Sequence, residues 1–105
     1  DRLRSRGLGD VYKRQIMEKT FLITAEAGIH ARPATNLVAE ANKYNCNLTV
    51  KMAEREVNLK SIMGVMSLGV NNGAFITVCA DGEDAEKAIL GITQKIYEMH
   101  LGKEY

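Results

Sequence analysis

Pro33 is the only proline in the chain, and its place settles where the first helix can begin. Upstream of it, residues 19–25 alternate, with Phe21, Ile23 and Ala25 on one side and Thr20, Leu22 and Thr24 on the other. That is the period of a strand, and the β-branched and aromatic residues support it. Gly28 breaks the alternation. Downstream, Ala34, Leu37, Val38 and Ala41 recur at i, i+3, i+4 and i+7, the stripe by which a helix faces a core. A proline is tolerated only in the first turn of such a helix, where its missing N–H costs nothing. The helix is therefore expected to start near Ala31, with His30 at or just before its cap and Asn45 and Asn47 as stop signals.

The same two periods keep exchanging along the chain. Leu48, Val50 and Met52 alternate, Glu54-Arg55-Glu56 reads as a polar turn, and Val57 and Leu59 resume the alternation, which predicts a hairpin. Residues 61–68 read as a short helix, with Ser61 suited to its N-cap and Gly69 to the residue after its end. Asn71-Asn72-Gly73 is a turn. Residues 74–80 read as a buried strand, and Asp81-Gly82 turns the chain. Ala85, Ala88, Ile89, Ile92, Ile96 and Met99 then form a last amphipathic helix that Gly102 is expected to end. The order β-α-β-β-α-β-α specifies an α+β sandwich with helices on one face of a sheet, and its middle is the ferredoxin-like order or a relative of it.

Length and composition suit one domain. The chain has 105 residues, 46% of them hydrophobic, with no Trp and two Phe, so aliphatic residues and methionine must fill a modest core. No apolar run is long enough for a transmembrane helix, and no secretory h-region is visible, so a cytoplasmic protein without membrane insertion is expected. Cys46 and Cys79 lie far apart and form no CxxC pair; two thiols in a reducing compartment are expected. The net charge of +1 conceals an asymmetry. Residues 1–16 carry five basic and two acidic side chains, a net of +3, which leaves −2 for the rest. The domain itself thus gives no case for direct nucleic-acid binding. Residues 1–16 lack a sustained period and read as a leader foreign to the domain, disordered or a remnant of cloning or gene-calling, with residues 17–105 as the domain.

Three elements could carry chemistry. The first is His30 within Gly28-Ile29-His30-Ala31-Arg32-Pro33-Ala34-Thr35. A helix N-terminus offers unpaired N–H groups and a positive dipole end, a ready anion site. Neutral imidazole is a usable nucleophile near pH 7, and Arg32 adds a guanidinium fork suited to phosphate. On spacing alone His30 is equally readable as a surface or capping residue. No Walker A loop, serine elbow or acidic metal cluster accompanies it, so a phosphohistidine needing partner enzymes is the functional reading, rather than an enzyme in its own right. The other histidine, His100, is placed to interact favourably with the C-terminal dipole of the last helix. Two histidines without a cysteine pair make no zinc site, and neither metal nor cofactor is expected.

The second element is Ser61, which is a simple N-cap by sequence physics alone, or a phosphorylation site, since a helix N-terminus tolerates the added negative charge. The third is the apolar run that follows it. Val65 and Leu68 can point inward while Ile62, Met63 and Met66 stay partly exposed as an adaptable methionine-rich surface; alternatively all are core.

Together these elements resemble the HPr family of histidine-containing phosphocarriers of the bacterial phosphoenolpyruvate:sugar phosphotransferase system. The Gly28–Thr35 run looks like the family's phosphorylation signature. The stretch Val57-Asn58-Leu59-Lys60-Ser61-Ile62-Met63-Gly64-Val65-Met66-Ser67-Leu68-Gly69 looks like its regulatory-serine signature, in the Gram-positive, low-GC form. The resemblance runs from Met17 to about Gly102. It implies an open-faced β-sandwich, a four-stranded antiparallel sheet covered on one face by three helices. It implies that enzyme I phosphorylates His30 on Nδ1 and that the group passes to IIA domains of sugar permeases, with Arg32 holding the phosphate and the partner's acidic surface. It further implies Ser61 as the target of an HPr kinase/phosphorylase. Ile62, Met63 and Met66 would be part of a docking patch shared with a catabolite-control repressor. Ala27 departs from the small hydroxyl residue usual in the family two positions before Ile29.

Other readings make different predictions. A regulatory paralogue acting only through Ser61 would lack the active-site histidine, and His30 argues against it. A carrier of a nitrogen-related branch would not have the full Ser61 segment. A ferredoxin-like small-ligand module would never carry an acid-labile phosphate on His30. Transfer through a small, transient contact patch implies a monomer.

Overall fold

The computed structural model describes residues 15–105; apart from Gln15 and Ile16, the expected leader lies outside the described residues. Eight elements follow in order: β1 (Gln15–Ile23), α1 (Ala31–Ala41), β2 (Cys46–Met52), β3 (Arg55–Asn58), α2 (Ile62–Ser67), β4 (Phe75–Gly82), α3 (Ala85–Glu98) and β5 (Gly102–Glu104). The strands form one antiparallel sheet in the order β3-β2-β4-β1-β5.

Pairing register explains the two unequal faces. Phe21 lies opposite Ile76 and Val50 opposite Val78, and these side chains point with Ile23, Leu48 and Ala80 into the core. Ala34, Leu37, Val38 and Ala41 of α1, Val65 of α2 and Ala85, Ala88, Ile89, Ile92 and Ile96 of α3 close it from one side. Each fully buried Leu, Ile, Val or Phe side chain contributes roughly 1.5–3 kcal/mol. No described helix covers the other face. There Thr20 and Thr77 share a hydrogen bond of 3.0 Å, and Phe75 packs edge-on against Tyr105, ring centroids 4.7 Å apart. Residues 74–80 are thus buried along one face only, because an antiparallel sheet with helices on one side alternates along each strand.

Several boundaries differ from those read in the sequence. β1 starts earlier and stops at Ile23, because the Thr24 and Ala25 amides leave the ladder for the Leu101 carbonyl. α1 ends at Ala41 with Asn42 as its cap, whose main-chain and side-chain nitrogens both reach the Val38 carbonyl; Asn47 lies in β2. The hairpin turns on Ala53 and Glu54, with φ of 56° at Ala53, so Arg55 and Glu56 belong to β3 and Glu56 accepts a hydrogen bond from Thr49.

The expected antiparallel sheet with three helices on one face is present, with a short fifth strand added at its edge. The last helix ends at Glu98, and the reversal is made by His100 in left-handed conformation, φ 54°. Its amide donates to Tyr97 O and the Leu101 amide to Ile96 O, the paired closing bonds of a Schellman motif with histidine in the usual glycine position. Gly102 then pairs with Ile23 at the sheet edge, where a Cβ would overlap the Leu22 carbonyl oxygen.

Candidate functional site

His30 is the N-cap of α1, in extended conformation, and its imidazole makes no capping hydrogen bond. It is exposed. Its carbonyl accepts the Ala34 amide at 3.0 Å, the first bond of the helix. The amides of Ala31 and Arg32 precede that bond and have no acceptor within the helix. Pro33, the third helical residue, contributes no donor at all. Among the described residues the helix thus opens with two N–H groups without an acceptor next to an imidazole that makes no capping bond, at its positive dipole end.

Two shallow depressions meet at this point. One is lined by His30, Ala31, Arg32, Thr35 and Asn36, the other by His30, Arg32, Pro33, Asn36 and Met99. Arg32 is exposed and borders both, so its guanidinium can reach a ligand held at His30. Thr35 turns its hydroxyl back to the Ala31 carbonyl at 2.8 Å. Asn36 donates to the Met99 sulfur at 3.3 Å, which ties α1 to the end of α3. The chemistry this allows is attack by a neutral ring nitrogen on an anionic electrophile, with the anion received by two amides and a guanidinium. The two free thiols are poor rivals as nucleophiles. Burial pushes both Cys46 and Cys79 above the ordinary thiol range, and at Cys79 the Glu18 carboxylate adds to the effect, so little thiolate forms.

Ser61 is the N-cap of α2, with its hydroxyl oxygen accepting the Gly64 amide at 3.1 Å. Asn58 builds this corner from below. Its carbonyl takes the Ser61 amide at 3.1 Å and its side chain takes the Lys60 amide at 2.9 Å. The following residues divide by face. Val65 and Leu68 are buried, whereas Ile62, Met63 and Met66 are 40%, 80% and 44% exposed, an apolar surface that no described element covers. Ala27, like Glu26 beside it, is exposed.

Asn36, Met99 and the main chain of Val70 border or support the site without having been found in the sequence. Asn36 and Met99 each carried a signal only for helix membership. Val70 accepts the Ile29 amide at 3.1 Å, a tertiary contact that no local pattern encodes. Among the described residues no three His, Cys, Asp or Glu side chains gather as a metal site, and no helix is long and apolar enough to cross a membrane.

A protein-family model described as the PTS HPr component phosphorylation site matches residues 17–97. Among solved structures, the histidine-containing phosphocarrier protein of Mycoplasma is similar at 42% identity and a TM-score of 0.81, over 82% of this chain and 98% of that one. HPr from Thermoanaerobacter tengcongensis is similar at 40% identity and a TM-score of 0.75, over 78% and 92%. The catabolite-repression protein Crh of Bacillus subtilis, solved as a swapped dimer, is similar at 38% identity and a TM-score of 0.63, over 70% and 85%.

Proposed function

Because this chain belongs to the HPr family, the phosphocarriers of the phosphotransferase system, we propose that His30 is its phosphoryl acceptor. Enzyme I, charged from phosphoenolpyruvate, is the donor, and IIA domains of sugar permeases are the recipients. The observation that carries this reading is the exposed imidazole at the N-cap of α1, which makes no capping hydrogen bond, beside the Ala31 and Arg32 amides that have no acceptor within the helix. In the transfer, the lone pair of a ring nitrogen, Nδ1 by family likeness, forms a new N–P bond as the donor's bond to phosphorus breaks. The Ala31 and Arg32 amides and the Arg32 guanidinium receive the phosphoryl oxygens. The partner supplies the remaining catalytic groups, so the chain acts as a covalent carrier in the cytoplasm and not as an enzyme on its own.

We assign docking to the exposed face of Ile62, Met63 and Met66 and regulation to Ser61, as substrate of an HPr kinase/phosphorylase. A phosphate on the α2 cap would put a dianion within the docking face. Partners with acidic surfaces facing Arg32 would be repelled and a repressor with basic residues favoured. We expect transfer by a monomer, checked by sedimentation because the Bacillus subtilis relative was solved as a dimer.

The test is intact mass after incubation with enzyme I, phosphoenolpyruvate and magnesium. One acid-labile phosphate on the parent and none on His30→Ala is the expected result. No phosphate on either, with enzyme I active on a control carrier, refutes the reading. In the same assay Ser61→Asp should be phosphorylated more slowly; an unchanged rate removes Ser61 from the regulatory role.

A further inference from the structure

His30 is pinned from both sides, and the second pin comes from the far end of α2. On the helix side its carbonyl holds the Ala34 amide. On the loop side the Ile29 amide donates to the Val70 carbonyl at 3.1 Å, with Ile29 6% and Val70 3% exposed. Gly28 makes that approach possible. Its φ is +67°, and a Cβ there would overlap the Val70 carbonyl oxygen and come within 2.9 Å of Asn71 Cα, main-chain atoms that cannot swing aside. Val70 in turn follows α2 through buried Leu68 and left-handed Gly69, whose amide closes on Met66 O at 3.2 Å.

We propose that the Val70 carbonyl, seated on Gly28 and bonded to Ile29, is a positioning clamp that sets the direction of the His30 side chain over the Ala31 and Arg32 amides. The inference rests on the phosphoryl-acceptor reading of His30. The clamped Ile29 and the capping His30 are consecutive, so hydrogen bonds on both sides hold the His30 backbone at φ −99° and ψ −163°. The Cα–Cβ bond therefore has one direction relative to the two donors. Opening the clamp leaves the imidazole, Arg32 and the α2 face chemically intact but spreads the nucleophile over several directions. Loss of alignment lowers the reacting population, not the affinity for the donor. The C-terminal exit of α2 is thereby part of the acceptor site, although it lies 40 residues beyond His30 in the chain.

The discriminating variant replaces the Gly28–Ile29 amide by an ester, which deletes the Ile29 N–H and keeps every side chain. With enzyme I as phosphoryl donor, kcat should fall roughly ten- to a hundredfold while KM for enzyme I changes by no more than about twofold. Gly28→Ala, whose Cβ would push the Val70 carbonyl away, should show the same split. Amide exchange on the unmodified chain is the second measurement, independent of whether any variant folds. The Ile29 amide should be protected to nearly the level of the α1 amides. A folded ester variant with parental kcat, or an Ile29 amide that exchanges like an open loop, overturns the clamp. A parent that takes no phosphate from active enzyme I instead refutes the acceptor reading itself, and the Ile29 protection still reports on the clamp.

Discussion

Gly91→Ala should destabilise the protein although it replaces a poor helix former by the best one. Gly91 lies in α3 where that helix meets α1, and a Cβ there would overlap the Tyr44 hydroxyl and lie 2.7 Å from Glu40 Oε2 and 2.8 Å from Tyr44 Cζ. Those atoms are occupied, since the Tyr44 hydroxyl donates to Glu40 at 2.6 Å and Lys43 Nζ to the same carboxylate at 3.1 Å. Glu40 is the one buried charged residue among those described, 8% exposed, so its hydrogen bonds are costly to lose. Displacing the phenol forfeits a hydrogen bond to a charged group, about 1.5–3 kcal/mol. The helix-propensity gain of alanine over glycine returns about 1 kcal/mol. The expected net loss is about 0.5–2 kcal/mol, or a fall in Tm of about 2–16 °C for a domain of this size. The assay is thermal unfolding at pH 7 of parent, Gly91→Ala, Tyr44→Ala and the double variant, read as a cycle. Without the ring the steric conflict disappears and Glu40 can turn to Lys43. In the Tyr44→Ala background Gly91→Ala should therefore stabilise by up to about 1 kcal/mol. Equal destabilisation in both backgrounds would refute the reasoning.

Two further outcomes follow from the same structure. His100→Gly relieves a left-handed backbone that costs an L-residue roughly 1–2 kcal/mol, against the extra unfolded freedom of glycine of roughly 0.5–1 kcal/mol. A net gain of about 0.5 kcal/mol should raise the urea midpoint at constant m, and a lower midpoint would mean that the imidazole itself stabilises the turn. The Tyr44 hydroxyl is pushed up to about 12, chiefly by its bond to Glu40 and then by burial. Its contribution is therefore fully present below pH 10 and is lost as pH rises from 10 towards 12. Glu40, held below the usual carboxylate range first by Tyr44, works in the opposite direction, contributing above its ordinary range and losing stability as pH falls through its lowered value. Urea titrations across both windows check this, and an alkaline limb identical in Tyr44→Phe would clear Tyr44 of the effect.

The sequence was legible where a local period or a cap decides the outcome. Pro33 could only belong to a first turn, and α1 begins at Ala31. Ser61 and Gly69 bracket α2 as their chemistry requires. It was misleading where tertiary contacts overrode the local signal. Gly102 has the chemistry of a helix terminator, yet its lack of a side chain serves β5, where the Leu22 carbonyl takes the space. His100 closes α3 in a backbone conformation that its residue type does not announce. Three-residue β5 has no pattern of its own, because a short edge strand is defined by its neighbour, here residues 21–23.

The proposed acceptor site shows the same division and gives it a physical meaning. Its chemical groups are contiguous, residues 30–32, because a helix N-terminus supplies donors from consecutive residues; these can be read from a string of letters. Its aim is not contiguous, because the conformation before an N-cap has no hydrogen bond of its own helix to hold it. Something outside the helix must, and here it is a main-chain oxygen of Val70, an atom every residue type possesses. Only the reciprocal requirement leaves a trace in the sequence, as the glycine at position 28 that lets this oxygen approach. On this account Gly28 belongs with His30 and Arg32 as a determinant of the site, and substitutions at Val70 that keep the backbone path should be nearly silent, while those that move it should slow His30 without touching it.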